Sequence, residues 1–167
     1  MARVYGSDGL TTHPDLIISK PATACLQGTA IALTMSATVF AVVTDASGYT
    51  TLFQQQTSAQ GGFTIGSVAG TVTVPRAMTV RVTYMISGIT VINGSTRQST
   101  VFGGATGTTA QGGDSFATDL TGSPSTLHGV TVFAAAAGDI ISVKAIESGA
   151  GTMTVADKGL TLLVEEV

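Results

Sequence analysis

The sequence lacks Trp and contains one Cys, one Asn and two His among its 167 residues. A lone cysteine cannot form an intrachain disulfide, which excludes a disulfide-stapled scaffold. Charged residues make up 10% of the chain, against about 25% in an average globular protein, which excludes a coiled coil and a charge-driven disordered chain. The net charge is −3 and the seven basic residues are scattered, so we expect no nucleic-acid partner.

Long hydrophobic runs are also missing. The longest near-apolar stretch, residues 130–137, is far shorter than the roughly 18 residues that a membrane-spanning helix needs. The first eight residues lack the apolar core of a secretory signal. We therefore expect a protein that is made and folded in a cytosol and does not contact a membrane.

Catalytic and metal-binding signatures are scarce. His13 and His128 are the only near-neutral acid–base groups, and no G-x-S-x-G elbow or zinc-ligand spacing occurs. A triad assembled from distant residues or a pairing of Cys25 with a histidine stays open, but His128 is better interpreted as a solvated or capping residue. Asp114 and Asp119 could bind a hard cation, although aspartates at loop ends are common turn residues. We predict no enzymatic activity, cofactor or metal.

Small and β-branched residues are abundant: 28 Thr, 14 Ser, 21 Gly and 21 Ala. These residues disfavour helices, and residues 79–86 alternate between polar and apolar side chains with the period of a half-buried strand. Side chains on the apolar face of such strands should form the core. The predicted buried residues are Val80, Val82, Ile141, Val143, Leu160 and Leu162. Further strands are predicted at residues 30–35, 38–44, 50–55, 71–74, 99–102, 115–120, 129–132, 140–146 and 160–164.

Gly, Pro and Asn separate these short strands, with Asn93-Gly94 a strong signal for a two-residue hairpin turn. The spacing is typical of an antiparallel sandwich or barrel. Two segments depart from it. Residues 1–28 are irregular and are interpreted as an N-terminal arm preceding a domain of residues 29–167, while residues 103–113 are predicted to be a long loop. Cys25 is expected to be a small buried hydrophobe.

Two parts of the chain resemble a known family. Residues 62–66 and 70–82 combine a Phe-Thr strand with a small-residue turn and a long apolar strand. Residues 129–133, 137–143 and 159–164 include an Ala-Gly-Asp turn before an apolar strand and a last strand that ends the chain. These features resemble the jelly rolls of the tumour-necrosis-factor-like and complement-globular-head group. The resemblance implies an all-β, antiparallel jelly-roll-like β-sandwich, here with an extended N-terminal arm, and a homotrimer.

The functional expectation follows from this resemblance and the composition. Ala, Thr and Gly replace the usual aromatics of the group, a style common in bacteriophage virion proteins. The first hypothesis is a structural virion protein, synthesised in the host cytoplasm: a trimeric capsid decoration (cement) protein that stabilises a phage head. A decoration protein with a β-tulip fold would keep this function and change the architecture.

The predicted partner of such a protein is the major capsid protein or another virion protein. Leu16, Ile17 and Ile18 are the candidate contact residues, since an extended apolar segment held by prolines can add a strand to a neighbouring sheet. It could equally be the first strand of its own domain. The alternative function is a receptor- or glycan-binding head of a tail fibre or appendage, with residues 54–56 and 103–113 as its surface.

Overall fold

The computed structural model describes ten stretches of the chain: residues 22–28, 31–35, 50–51, 56–59, 61–65, 70–89, 96–118, 125–147, 151–155 and 160–167. All regular structure in these stretches is β-strand, as the composition predicts. None of the described stretches forms a helix that could cross a membrane.

Thirteen strands are formed by the described residues. They are β1 (Thr23–Gly28), β2 (Ile31–Met35), β3 (Thr50–Thr51), β4 (Gln56–Ala59), β5 (Thr64–Ile65), β6 (Thr71–Thr73), β7 (Met78–Ile89), β8 (Thr96–Gly103), β9 (Thr109–Thr118), β10 (Ser125–Ala135), β11 (Ile140–Glu147), β12 (Gly151–Val155) and β13 (Leu160–Glu166).

Two larger sheets and a two-stranded ribbon contain these strands. The first sheet has the order β10-β7-β13-β1-β4, and the second has the order β5-β6-β11-β8-β9 with β3 also paired to β11. All pairings are antiparallel. From β7 onwards the chain passes repeatedly between the two sheets, since β8, β9 and β11 belong to the second and β10 and β13 to the first. The protein is therefore an antiparallel β-sandwich with jelly-roll connections.

The core lies between the two sheets and is built from the inward-facing apolar residues of both. Val80, Val82, Ile141, Val143 and Leu162 are fully buried, which confirms their prediction. The side chain of Leu160 lies outside the described residues. Because successive side chains of a strand point to opposite faces, the alternation in β7 and β13 fixes which residues enter the core.

Polar contacts join the two sheets at Tyr84, an inward-facing residue of β7. Its hydroxyl group donates a hydrogen bond to the Gly113 carbonyl oxygen at 2.7 Å and is hydrogen-bonded to Ser99 Oγ at 2.7 Å. Both partners belong to the second sheet. Burial raises the pKa of Tyr84 to about 12, with a smaller contribution in the same direction from Asp114 and an opposing one from the Ser99 hydrogen bond.

The prediction of a long loop at residues 103–113 is wrong. Strand β8 ends at Gly103, a short turn follows, and β9 begins at Thr109. The low strand propensity of this Gly-rich segment is overcome by pairing with β8, and the ladder is irregular between Ser99 and Phe102. Gly112 and Gly113 have φ values of 90° and 74°, which side-chain-bearing residues rarely adopt, and they allow the strand to bulge and continue.

The predicted N-terminal arm overlaps the sandwich. Strand β1 occupies residues 23–28 and pairs with both β13 and β4, and Ala24 and Leu26 are fully buried. Glu166 N donates to the Ala22 carbonyl oxygen at 2.9 Å, so the attachment extends to residue 22. Residues 1–21, the predicted strand at 38–44 and the Asn93-Gly94 turn lie outside the described residues.

Candidate interaction surface

The outer face of the five-stranded sheet carries the most conspicuous apolar surface of the described residues. The register places Val130, Thr83, Leu163 and Cys25 in one row across β10, β7, β13 and β1. Adjacent rows contain His128, Met85 and Thr161 on one side, and Val132, Arg81, Glu165 and Thr23 on the other. We call this three-row surface the β10–β1 face.

Large apolar side chains on this face are exposed in the single chain. Val130 is 57% exposed, Val132 is 56% exposed and Met85 is 43% exposed, while Leu163 and Cys25 are half-buried. Scattered apolar residues are normal on protein surfaces, but neighbouring ones on a sheet face indicate an interaction site. The alternation of β10 produces the patch, because its opposite face sends Leu127 and Ala135 into the interior.

The charges on the β10–β1 face neutralise each other. Arg81 Nε and Nη2 both donate to Glu165 Oε2, at 3.0 and 2.8 Å. These residues are also directly opposite in the β7–β13 register. The face therefore offers apolar side chains together with an internally compensated ion pair, so covering it would not leave a net charge of one sign at this position.

The outer face of the second sheet differs, because its central strands are covered within the single chain. Thr100, Phe102, Ser142 and Lys144 alternate with core residues of β8 and β11 and are nevertheless buried. Lys144 Nζ lies 4.8 Å from the centroid of the Phe102 ring, a favourable cation–π geometry. Phe116, on the strand β9 at the rim, is 62% exposed. The β10–β1 face is thus the more accessible of the two central sheet surfaces.

Cys25 and His128 both lie on the β10–β1 face. The prediction that Cys25 is a core residue is wrong, since it alternates with the buried Ala24 and Leu26 and points away from the interior. His128 is exposed, as predicted for a solvated histidine, and lies inside β10 opposite Met85. Cys25 and His128 lie in different rows of the face, on strands that are separated by β7 and β13.

Of the two aspartates considered for a cation site, the structure describes Asp114. Asp114 Oδ1 accepts a hydrogen bond from Thr100 Oγ1, which links β9 to β8. Asp119 and His13 lie outside the described part of the chain. Within that part, no group of three or more His, Cys, Asp or Glu residues could hold a metal ion.

Other predicted contact residues fall largely outside the described stretches. Leu16, Ile17 and Ile18 belong to residues 1–21, and the first two glutamines of residues 54–56 are likewise outside. Residues 103–113, the remaining part of the surface considered for a receptor or glycan, form a strand end, a turn and a strand. The sequence analysis predicted a strand at residues 129–132 but did not identify Val130 and Val132 as surface contact residues. The available signal was that this strand carries apolar residues on both of its faces.

Comparisons with known proteins identify the fold. No family model matches the chain, and no curated protein matches it. Among solved structures, murine APRIL at pH 5.0 superposes with a TM-score of 0.62 and 14% identity, covering 89% of this chain and 100% of that one. The Eiger TNF of S. frugiperda superposes with a TM-score of 0.60 and 10% identity, covering 89% and 94%. This protein has a TNF-like jelly-roll fold. The identities are low, so the likeness concerns the fold alone.

Proposed function

We propose that the protein is a homotrimeric structural protein of a bacteriophage virion, a decoration protein on the head. The observation that carries the self-association is the β10–β1 face, where Val130, Val132 and Met85 are exposed beside a compensated ion pair. A second copy of the chain is the occupant we propose for this face. The TNF-like fold, together with the resemblance of the sequence to a trimeric family, supports an assembly of three chains.

Burial of the β10–β1 face against another chain should be energetically favourable. Burial of apolar surface is worth roughly 25 cal/mol per Å², and Val side chains lose little rotamer freedom when they are covered. Arg81 and Glu165 already satisfy each other within one chain. Their desolvation on association therefore costs less than that of an isolated charge. Three identical faces arranged around an axis would close the assembly and leave none of them exposed.

The proposed role in a virion is based on the composition of the chain and on the scarcity of residues suited to catalysis or metal binding. The described residues offer no clustered metal ligands, and the chain contains no catalytic motif recognised in its sequence. Its Ala-, Thr- and Gly-rich make-up is the style of phage virion proteins, which supports a structural rather than an enzymatic role. The arm, with Leu16, Ile17 and Ile18, is the proposed contact with the major capsid protein.

Electron cryomicroscopy of purified particles tests the virion role. Particles of the encoding phage and of a mutant lacking this gene should be imaged side by side. We expect three-fold density on the wild-type head that is missing from the mutant head. Density at the tail tip would favour the receptor-binding alternative, and identical particles would refute a virion role.

A further inference from the structure

A histidine lies within the surface that the proposed trimer covers. His128 is an exposed residue of β10, directly opposite Met85 of β7 and two residues from Val130 on the same side of the strand. Its backbone N donates to Ser115 Oγ at 3.2 Å, which attaches this part of β10 to the neighbouring β9. A second copy that contacts both Met85 and Val130 would cover the imidazole as well.

Charged groups that could compensate an imidazolium here are remote or already occupied. On β7 the nearest one is Arg81, two rows away and paired with Glu165 of β13. On β9, Ser115 faces β10, so the side chain of the adjacent Asp114 points to the opposite side of that strand, where it accepts the hydrogen bond of Thr100. Facing His128 in its own row, the described side chains of β7 and β13 are Met85 and Thr161, which carry no charge.

We infer that the homotrimer is pH-sensitive: protonation of His128 places a positive charge in the apolar β10–β1 face and weakens association. This inference rests on the proposed trimer and adds a regulatory property to it. Histidine is the side chain that ordinarily changes charge between about pH 5 and pH 8. The associated state favours the neutral imidazole because covering a charge without a partner is costly. Falling pH therefore shifts the equilibrium towards free chains, and rising pH restores the trimer.

The test compares sedimentation equilibrium of the full chain at about pH 7.5 and about pH 5.5, either side of the histidine range. Wild-type protein should dissociate at least roughly tenfold more readily at the lower pH, while its far-UV circular dichroism stays unchanged. His128→Gln should be equally associated at both values, and His128→Lys should be weakened at both. His13→Gln, at the other histidine of the chain, is the matched control and should behave as wild type.

The outcomes separate the two proposals. A wild-type trimer with equal association at both pH values would overturn the switch and leave the proposed trimer standing. A pH effect that persists in His128→Gln, or that coincides with loss of the β-sheet spectrum, would also overturn the switch. A single-chain mass at both pH values would refute the trimer and the switch together.

Discussion

At the residue scale, the two sheets approach each other closely at Gly129. An ideal Cβ at this position would lie 2.2 Å from the Gly113 carbonyl oxygen and 2.6 Å from the Tyr84 ring. Gly129 and Tyr84 are cross-strand partners, so the aromatic ring occupies the space that a side chain at 129 would need. The glycine is thus a condition for the Tyr84 contacts to the second sheet.

We expect Gly129→Ala to destabilise the protein by about 3 kcal/mol or more, because backbone must move to admit the methyl group. Thermal denaturation followed by circular dichroism measures the loss. Gly138→Ala is the control: its Cβ meets nothing within 4 Å, so only the positive φ should cost about 1–2 kcal/mol. Equal melting temperatures for Gly129→Ala and wild type would show that a methyl group at residue 129 fits between Tyr84 and the Gly113 carbonyl oxygen.

Tyr84 predicts a decline of stability at alkaline pH. Its pKa is raised from 10 to about 12 in the folded protein, mainly by burial. The unfolded chain loses this proton first, so the full stability is present below pH 10 and falls as pH rises from 10 towards 12. Urea denaturation across this window should show a steeper decline for wild type than for Tyr84→Phe. Parallel declines would mean that the Tyr84 hydroxyl is not protected in the fold.

At neutral pH the same Tyr84→Phe variant should lose about 1–3 kcal/mol, because the partly buried Gly113 carbonyl oxygen loses its donor. The urea midpoint measures this loss. An unchanged midpoint would contradict the inter-sheet hydrogen bond.

At the scale of elements, β13 has one face in the core and the other on the β10–β1 face. It lies between β7 and β1 in the five-stranded sheet. Leu162 is fully buried in the core, whereas Leu163 is half-buried on the β10–β1 face. Adjacent residues of one strand therefore lie in the core and on the face that we propose for association.

Aspartate substitutions at Leu162 and Leu163 should distinguish an effect on folding from an effect on association. Leu162→Asp places an unpaired carboxylate in the core at a cost of several kcal/mol, about enough to unfold the domain. Leu163→Asp should leave the chain folded and monomeric. Circular dichroism reports folding and sedimentation reports mass. A soluble, cooperatively melting Leu162→Asp variant would contradict the register of β13.

The sequence predicted most of the sheet framework and little of the surface. Period-two alternation identified β7 and β11 and their buried valines, because a strand buried on one face must alternate. It could not reveal β9 between 109 and 113, where pairing with β8 overrides weak local propensity. The orientation of Cys25 was also inaccessible, since composition indicates that cysteines are usually buried but not which face of β1 they occupy.

For the whole molecule, residues 1–20 of the predicted arm should be separable from the sandwich. The described contacts with β13 begin at Ala22, just before β1, where the Ala22 N donates to Glu166 Oε2 at 3.3 Å. Deletion of residues 1–20 keeps these contacts, and we expect a folded trimer that no longer binds phage shells. Co-sedimentation with shells of the encoding phage measures binding. A steep fall in melting temperature would instead assign the deleted segment to the core and move the shell contact elsewhere.

The central claim is that identical chains associate through the β10–β1 face, and sedimentation equilibrium tests it most directly. At micromolar concentration and neutral pH, wild-type protein should show three chain masses of 16.7 kDa. Val132→Glu places a carboxylate opposite Arg81, which is already paired with Glu165, so the row gains a net negative charge and this variant should show one chain mass. A wild-type protein with the mass of a single chain, or a Val132→Glu variant that remains fully trimeric, would contradict the account.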